Sequence, residues 1–126
     1  MVSEEDARRI ALSLPEVAER PYNRLPGFRV RGKLFARLHE QPGVLFLKCA
    51  DLGEKEALIT AHPAKFFTTP HYNGYPGVLV RLAAMAADEL TEMVTESWRL
   101  CAPRRLVAAF DAEHPLPSSS GRPLGG

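Results

Sequence analysis

Six basic residues stand close together early in the chain, and no acidic residue interrupts them. They are Arg20, Arg24, Arg29, Arg31, Lys33 and Arg37. On an exposed hairpin, such side chains can contact the phosphate oxygens of a nucleic acid, and these contacts position a protein while reading little sequence. Charged side chains on exposed strands also discourage pairing with other sheets. The stretch therefore predicts either a phosphate-contacting surface or a solvated strand edge.

A second candidate site is the segment 69–77, which contains three aromatic side chains between two prolines and two glycines. His71, Tyr72 and Tyr75 combine ring faces with hydrogen-bonding groups, which binding loops often use for ligands. The segment predicts a pocket for a small molecule or for a stacked base. The alternative is that prolines and glycines only fix a tight connection, and that the tyrosine rings cover the edge of a sheet.

Signatures of catalysis, metal binding and nucleotide binding are missing from the sequence. The four histidines do not have HxH or HExxH spacing, and there is no GxSxG, GxGxxG or GxxxxGK[ST] motif. Cys49 and Cys101 are 52 positions apart with no second thiol nearby, so we expect both to be buried and reduced. We therefore predict no enzyme activity, no metal site and no cofactor.

Local patterns predict the elements that must position these residues. Ser3 has the character of an N-cap before an amphipathic helix, and the proline-rich stretch 15–27 is expected to be a loop. Residues 28–30 and 33–39 read as a hairpin with a turn at Arg31 and Gly32, in which strand alternation would put Arg29 and Arg31 on one face. The apolar run 44–49 predicts a central strand.

The second half of the sequence predicts further helices and strands. Asp51 and Glu54 indicate the start of a second helix, and residues 66–69 and 77–82 read as strands. Asp88 is expected to cap a helix that buries Val94 and Trp98, and a short last helix follows Pro103. The pattern predicts an α+β, two-layer sandwich in which helices pack on one face of an antiparallel sheet of about five strands.

Length and composition indicate one domain, which we place at residues 1–113, followed by a disordered tail at 114–126 that is rich in proline, serine and glycine. The net charge is only +1, so no global basic field draws the chain onto nucleic acid. No apolar run approaches the ~20 residues that span a bilayer, and the chain opens with Ser3-Glu4-Glu5-Asp6 instead of a leader. We expect a cytoplasmic protein with no membrane partner.

Five short segments, in order, resemble the MmcQ/YjbR family of bacterial proteins. They are the segments 14–17, 28–36, 47–49, 69–76 and 96–98, which read LPEV, FRVRGKLFA, LKC, TPHYNGYP and ESW. The resemblance implies a fold similar to that of bacterial frataxin, and it implies DNA binding through a "double wing". The chain lacks the dense acidic helix of an iron-binding frataxin, so iron delivery is not expected.

The leading hypothesis is a protein that binds double-stranded DNA weakly, largely through phosphates. Its proposed contacts are Arg29, Arg31, Lys33 and Arg37, with Arg24, Lys48 and Arg81 as further candidates. The alternative is a small-ligand or protein-interaction module that uses His71, Tyr72 and Tyr75 and has no nucleic-acid role. The sequence leaves the oligomeric state open.

Overall fold

The computed structural model describes residues 2–114, so most of the predicted tail lies outside the described residues. The helices are α1 (Glu4–Leu12), α2 (Leu52–Ala61), α3 (Ala87–Cys101) and α4 (Arg104–Glu113). The strands are β1 (Val17–Tyr22), β2 (Leu25–Val30), β3 (Lys33–Leu38), β4 (Val44–Lys48), β5 (Phe66–Phe67) and β6 (Gly77–Arg81). Short 3-10 turns occur at Pro70–Tyr72 and Leu82–Ala84. No helix among the described residues is long and apolar enough to cross a membrane.

The strands form a single antiparallel sheet in the order β1-β2-β3-β4-β6-β5. The predicted α+β class is confirmed, with six strands instead of about five. The additional strand is β1, because the expected loop at 15–27 instead forms β1 and the first part of β2. Pro21 faces Pro26 near the end of this hairpin, and β1 is an edge strand, a place where a missing backbone N–H is tolerated.

A β-bulge interrupts the pairing of β2 with β3. Phe28 faces Ala36 and Arg29 faces Leu34, so Phe35 has no partner of its own. Phe35 and Ala36 are both fully buried in the main core, which means that two successive side chains point to the same face. The bulge therefore sets which residues of β3 lie on each side of the sheet.

Helices α1 and α3 cover one face of the sheet and enclose the main core. Trp98 lies in this core with Val94, as predicted, and both are fully buried. The Trp98 indole N–H donates to the Pro15 carbonyl at 3.1 Å, and its ring contacts Phe110 of α4 with centroids 5.1 Å apart. A single tryptophan thus joins α3, α4 and the turn that leads into β1.

The helix starts follow the predicted signals at two of three positions. Ser3 and Asp6 form a capping box, and the Asp51 carboxylate accepts from the Glu54 amide at 2.8 Å. The prediction that Asp88 caps α3 is wrong, because the N-cap is Ala86, and Asp88 lies in the first turn. The predicted strand 66–69 is also shorter, since only Phe66–Phe67 pairs before Pro70 begins a 3-10 turn.

The second face of the sheet has a smaller apolar cluster of its own. Val44 and Phe46 of β4 and Leu79 of β6 are buried there under Tyr72. Gly77 lies beside Phe46, and a Cβ atom at Gly77 would be 2.2 Å from the Phe46 ring. The absence of a side chain at Gly77 therefore lets the Phe46 ring lie against the backbone of β6.

Replacing Gly77 by alanine should destabilise the protein, because the Phe46 ring must move away from the new methyl group. We expect a loss of about 1–3 kcal/mol in the free energy of unfolding, measured by urea denaturation with Trp98 fluorescence. Gly53→Ala is the control, since its added Cβ meets nothing closer than 3.3 Å and lies in a helix, where alanine is favoured. Equal stabilities of the two variants would show that the close approach at Gly77 is not required.

Candidate functional site

The second face of the sheet is covered over only part of its width. The segment 69–77 lies over β4 and β6, whereas β1 at the other edge carries exposed side chains. The strand register places Arg20 opposite Gly27 and Gly27 opposite Arg37, so these residues form a row across β1, β2 and β3. We call the second-face surface of β1–β3 the open face; it comprises Arg20, Tyr22, Gly27, Arg29, Leu34 and Arg37.

Arg37 lies at the end of the open face next to the segment 69–77 and is almost completely buried, with 4% of the residue exposed. Its guanidinium donates to the Tyr72 hydroxyl at 2.5 Å and to the Leu38 carbonyl at 3.1 Å, and it lies 3.6 Å from a carboxylate oxygen of Glu40. A buried guanidinium needs such partners, because an unpaired buried charge is very costly. Arg37 therefore serves to join β3 to the segment 69–77.

Gly27 allows a second contact of the same guanidinium. A Cβ atom at Gly27 would lie 3.2 Å from both Tyr22 Cβ and a methyl carbon of Leu34. Because no side chain separates them, the Tyr22 ring reaches across β2 and lies 4.6 Å from the Arg37 guanidinium carbon. This cation–π contact gives Tyr22 a fixed position at the edge of the open face.

Lys55 of α2 holds the segment 69–77 from the other side. Its buried ammonium donates to the carbonyls of Tyr72 at 2.5 Å and Tyr75 at 2.9 Å. Burial lowers the pKa of Lys55, which is the expected direction for a cation removed from water. The buried lysine thus adds a charged donor to two carbonyls that each also accept one backbone N–H of the turn, Tyr72 from Tyr75 at 3.0 Å and Tyr75 from Gly77 at 2.8 Å.

Within this segment the three predicted ligand residues have different environments. The Tyr72 ring stacks on Phe46 with centroids 5.3 Å apart, whereas Tyr75 is 46% exposed. His71 is exposed and meets the Tyr72 ring edge-on at 4.9 Å. Tyr72 therefore covers the sheet, as the structural alternative proposed, and of the three only His71 and Tyr75 are exposed to solvent.

A concave region joins the segment to the open face. A cavity of about 180 Å³ lies between Tyr22 and Leu34 on one side and Tyr75 on the other, with Phe46 and Arg37 also lining it. A neighbouring cavity of about 330 Å³ shares Arg37, His71 and Tyr72 with it and adds polar side chains such as Asn23 and His39. Burial lowers the pKa of His39, which favours its neutral form. We call the first cavity the aromatic trough.

The four central residues of the predicted basic surface do not lie together. Arg29 is half-buried on the open face, but Arg31 occupies the turn with φ of 51° and pairs with Glu16 at 2.5 Å. The expectation that Arg29 and Arg31 share a strand face is wrong, because Arg31 lies in the turn between the strands. Lys33 is exposed opposite Val30, whose side chain is in the main core, and Arg37 is buried.

The three further candidates are dispersed as well. Arg24 is exposed in the β1–β2 turn, next to Asn23, and both residues have positive φ angles. Lys48 is half-buried at the end of β4. Arg81 lies on the second face near the opposite edge of the sheet, where its guanidinium covers the Phe67 ring at 4.1 Å and donates to the Pro63 carbonyl at 3.1 Å.

Two open-face residues with side chains suited to a ligand, Arg20 and Tyr22, are not among the contacts predicted from the sequence, although Arg20 belongs to the predicted basic stretch. Arg20 and Tyr22 fall in the stretch that was expected to be a loop, although their i, i+2 spacing is typical of one face of a strand. Among residues 2–114, Arg20, Arg24 and Arg29 form no ion pair, whereas Arg8, Arg9, Arg31 and Arg99 each contact a carboxylate. Arginines without an ion pair among residues 2–114 thus lie on the open face and at its rim, and Arg81 of β6 and Arg104 and Arg105 of α4 are further examples elsewhere.

The cysteines have the environment that their sequence predicts. Both are free and buried, and burial raises the pKa of Cys49 to about 11, so its thiol stays protonated at neutral pH. In the described part of the chain, no three side chains of His, Cys, Asp or Glu are grouped so that they could hold a metal ion.

Fold and site define a two-layer α+β protein whose sheet is covered by helices on one face and bears arginine and tyrosine side chains on part of the other. The chain belongs to the YjbR family, whose model matches residues 12–100. The resemblance found in the sequence is therefore confirmed.

Relatives of known sequence or structure share most of the chain. Uncharacterized protein Rv2570 of Mycobacterium tuberculosis (strain ATCC 25618 / H37Rv) and uncharacterized protein Mb2600 of Mycobacterium bovis are each 38% identical over 128 residues, covering 87% of this chain and 96% of the relative. The crystal structure of Deinococcus radiodurans protein DR2400, a DUF419 domain, has a TM-score of 0.68 and 27% identity. The similarity covers 93% of this chain and 91% of that one.

Removing the Lys55 ammonium should loosen the segment 69–77. In Lys55→Met the carbonyls of Tyr72 and Tyr75 lose a charged donor, so we expect a loss of about 1–3 kcal/mol in the free energy of unfolding and faster hydrogen exchange in peptides covering 69–77. Lys65→Met is the control, because Lys65 forms a partly exposed ion pair with Glu89 elsewhere. Unchanged exchange in the 69–77 peptides of Lys55→Met would contradict the assigned role.

Proposed function

We propose that this protein binds DNA through its phosphate backbone, using Arg20 and Arg29 of the open face and Arg24 at its rim. The observation that supports this proposal is that these three arginines are grouped on the β1–β2 hairpin and that none of them has a carboxylate partner among residues 2–114. Arg81, Arg104 and Arg105 are also without such a partner there, but they lie on β6 and α4. Arg29 donates to the Gly32 carbonyl at 3.3 Å through one guanidinium nitrogen, and its remaining donors are available for a ligand. Guanidinium groups suit phosphate well.

The geometry of β1 and β2 brings two of these charges together. Ala18 faces Arg29 and Arg20 faces Gly27, so Arg20 and Arg29 are diagonal neighbours on one face, with a spacing of about 7–8 Å. Like charges at this spacing repel in the free protein, and a polyanion relieves the repulsion. The surface between them has no acidic side chain, because Glu19 points to the other face and pairs with Arg8 at 2.8 Å.

The proposed interface replaces part of the surface predicted from the sequence. Arg29 and Arg24 remain in it, whereas Arg31 is paired with Glu16 and Arg37 holds Tyr72. With a net charge of +1 and three principal contacts, binding should be weak, in the range of about 10⁻⁴–10⁻⁶ M at physiological salt, and it should show little sequence preference. We also propose that the protein is cytoplasmic and has no catalytic role.

Reversing the charge at Arg20 and Arg29 together should abolish binding. We expect Arg20→Glu/Arg29→Glu to show no measurable affinity for random-sequence DNA, single-stranded or duplex, in fluorescence-anisotropy titrations at low salt. Arg20→Gln/Arg29→Gln should instead lower the slope of log K against log salt by about 2. Circular dichroism and Trp98 fluorescence would check that the variants are folded.

Two matched double variants serve as controls for this experiment. Arg104→Glu/Arg105→Glu makes the same change of charge at exposed positions of α4, and it should retain the wild-type affinity within a few-fold. Arg31→Glu/Lys33→Glu makes that change at the turn predicted from the sequence. Loss of binding in either control, with binding retained in Arg20→Glu/Arg29→Glu, would show that DNA contacts a different surface.

A further inference from the structure

We propose that the preferred ligand is single-stranded DNA, with its bases stacked on Tyr22 and Tyr75 at the aromatic trough. The inference rests on the proposed function, since Arg20, Arg24 and Arg29 would hold the phosphates of the same strand. Stacking of bases on the two tyrosines is a second kind of contact, separate from the contacts between arginines and phosphates. This contact favours single-stranded DNA over duplex DNA.

Two exposed rings at one cavity are the observation that carries this inference. Tyr22 is 37% exposed and Tyr75 is 46% exposed, although they come from separate parts of the sequence, and both line the aromatic trough. Aromatic side chains next to a basic groove bind single strands by stacking on unpaired bases. In a duplex the base faces are already covered by neighbouring pairs, so such rings gain little.

Both rings are held in place before any ligand arrives. Tyr22 lies against Arg37, which Tyr72 and the Leu38 carbonyl fix in turn. The Tyr75 carbonyl accepts from Lys55 at 2.9 Å, and its ring is 6.0 Å from that of Phe46. Because the rings are already ordered, a stacking base pays little of the entropy that ordering a flexible loop would require.

The arrangement of charge and rings also suits one strand better than two. Arg20 and Tyr22 are at i, i+2 positions of β1, so a phosphate-binding group and a stacking group alternate along the same strand face. A duplex groove admits a protruding helix or a two-stranded ribbon. Here β2 lies between β1 and β3 in a six-stranded sheet, and the β2–β3 turn is tied to Glu16 through Arg31. The β2–β3 hairpin is therefore not a free ribbon that could enter the groove of a duplex.

The neighbouring cavity supplies groups that can contact base edges. Asn23, Thr69 and His71 line it beside Arg37, and each has a donor or an acceptor that is independent of the stacking rings. Single-strand platforms on sheets combine aromatic stacking with such polar contacts at the edges of the bases. We propose that the DNA strand runs from Arg20 across Tyr22 to Tyr75, with these polar groups beside its bases.

The test is a set of anisotropy titrations at one salt concentration with a labelled 15-nucleotide thymidine strand, a duplex of equal length and an abasic strand of equal length. We expect the wild type to bind the thymidine strand at least tenfold more tightly than the duplex or the abasic strand. Tyr22→Ala and Tyr75→Ala should each weaken thymidine-strand binding by about fivefold or more and leave duplex and abasic binding unchanged.

Matched variants separate stacking from general damage. Tyr22→Phe and Tyr75→Phe keep the rings and should bind the thymidine strand like the wild type. Leu100→Ala removes an exposed apolar side chain of α3, away from the trough, and should have no effect.

Each contrary outcome has a separate meaning. Equal binding of strand and duplex that depends on Arg20 and Arg29 but not on the tyrosines would overturn this inference and leave the proposed function intact. No binding of either DNA would overturn both. If thymidine monophosphate alone binds as tightly as the strand, with the same dependence on Tyr22 and Tyr75, the trough is a small-ligand pocket and the inference is wrong.

Discussion

In the described part of the chain, helices cover only one face of the six-stranded sheet, so the apolar side chains of the other face need a second cover. The chain meets this constraint with a short segment, residues 69–77, which places Tyr72 over Phe46 and Leu79. A nine-residue segment covers β4 and β6 but does not extend to β1. Among residues 2–114 no segment covers the second face of β1, which leaves the open face, and polar side chains with long aliphatic stems occupy it.

Two buried cations hold that cover in position. Arg37 binds the Tyr72 hydroxyl from the strand side, and Lys55 binds the carbonyls of Tyr72 and Tyr75 from α2. If one partner of a buried charged contact is removed, the other group is left unpaired, which is costly. These contacts therefore fix the position of the segment 69–77 even where their net contribution to the free energy of unfolding is small. The same Arg37 also fixes Tyr22, so the cover and the open face share one structural support.

Local sequence signals predicted most of the helical layer. The Ser3 capping box, the Asp51 cap and the buried face of α3 follow from spacing within a few residues, and they are confirmed. The predictions from sequence failed where contacts between residues far apart in the sequence determine the structure. Prolines argued against β1, yet an edge strand accepts them, and the pairing of Arg31 with Glu16 joins residues that no local rule connects. The burial of Arg37 depends on the Tyr72 hydroxyl, 35 residues away, and on a bulge at Phe35 that strict alternation does not anticipate.

The proposed contacts of DNA with the open face and the aromatic trough can be located residue by residue. The most direct measurement is a ¹⁵N-¹H NMR titration of the protein with a short single-stranded oligonucleotide at low salt. Binding at these surfaces predicts amide shift changes in residues 18–24, 27–29 and 71–75, with little change in α1 and α4. Shift changes concentrated on the helical layer would place the ligand on the opposite side of the sheet and contradict the account.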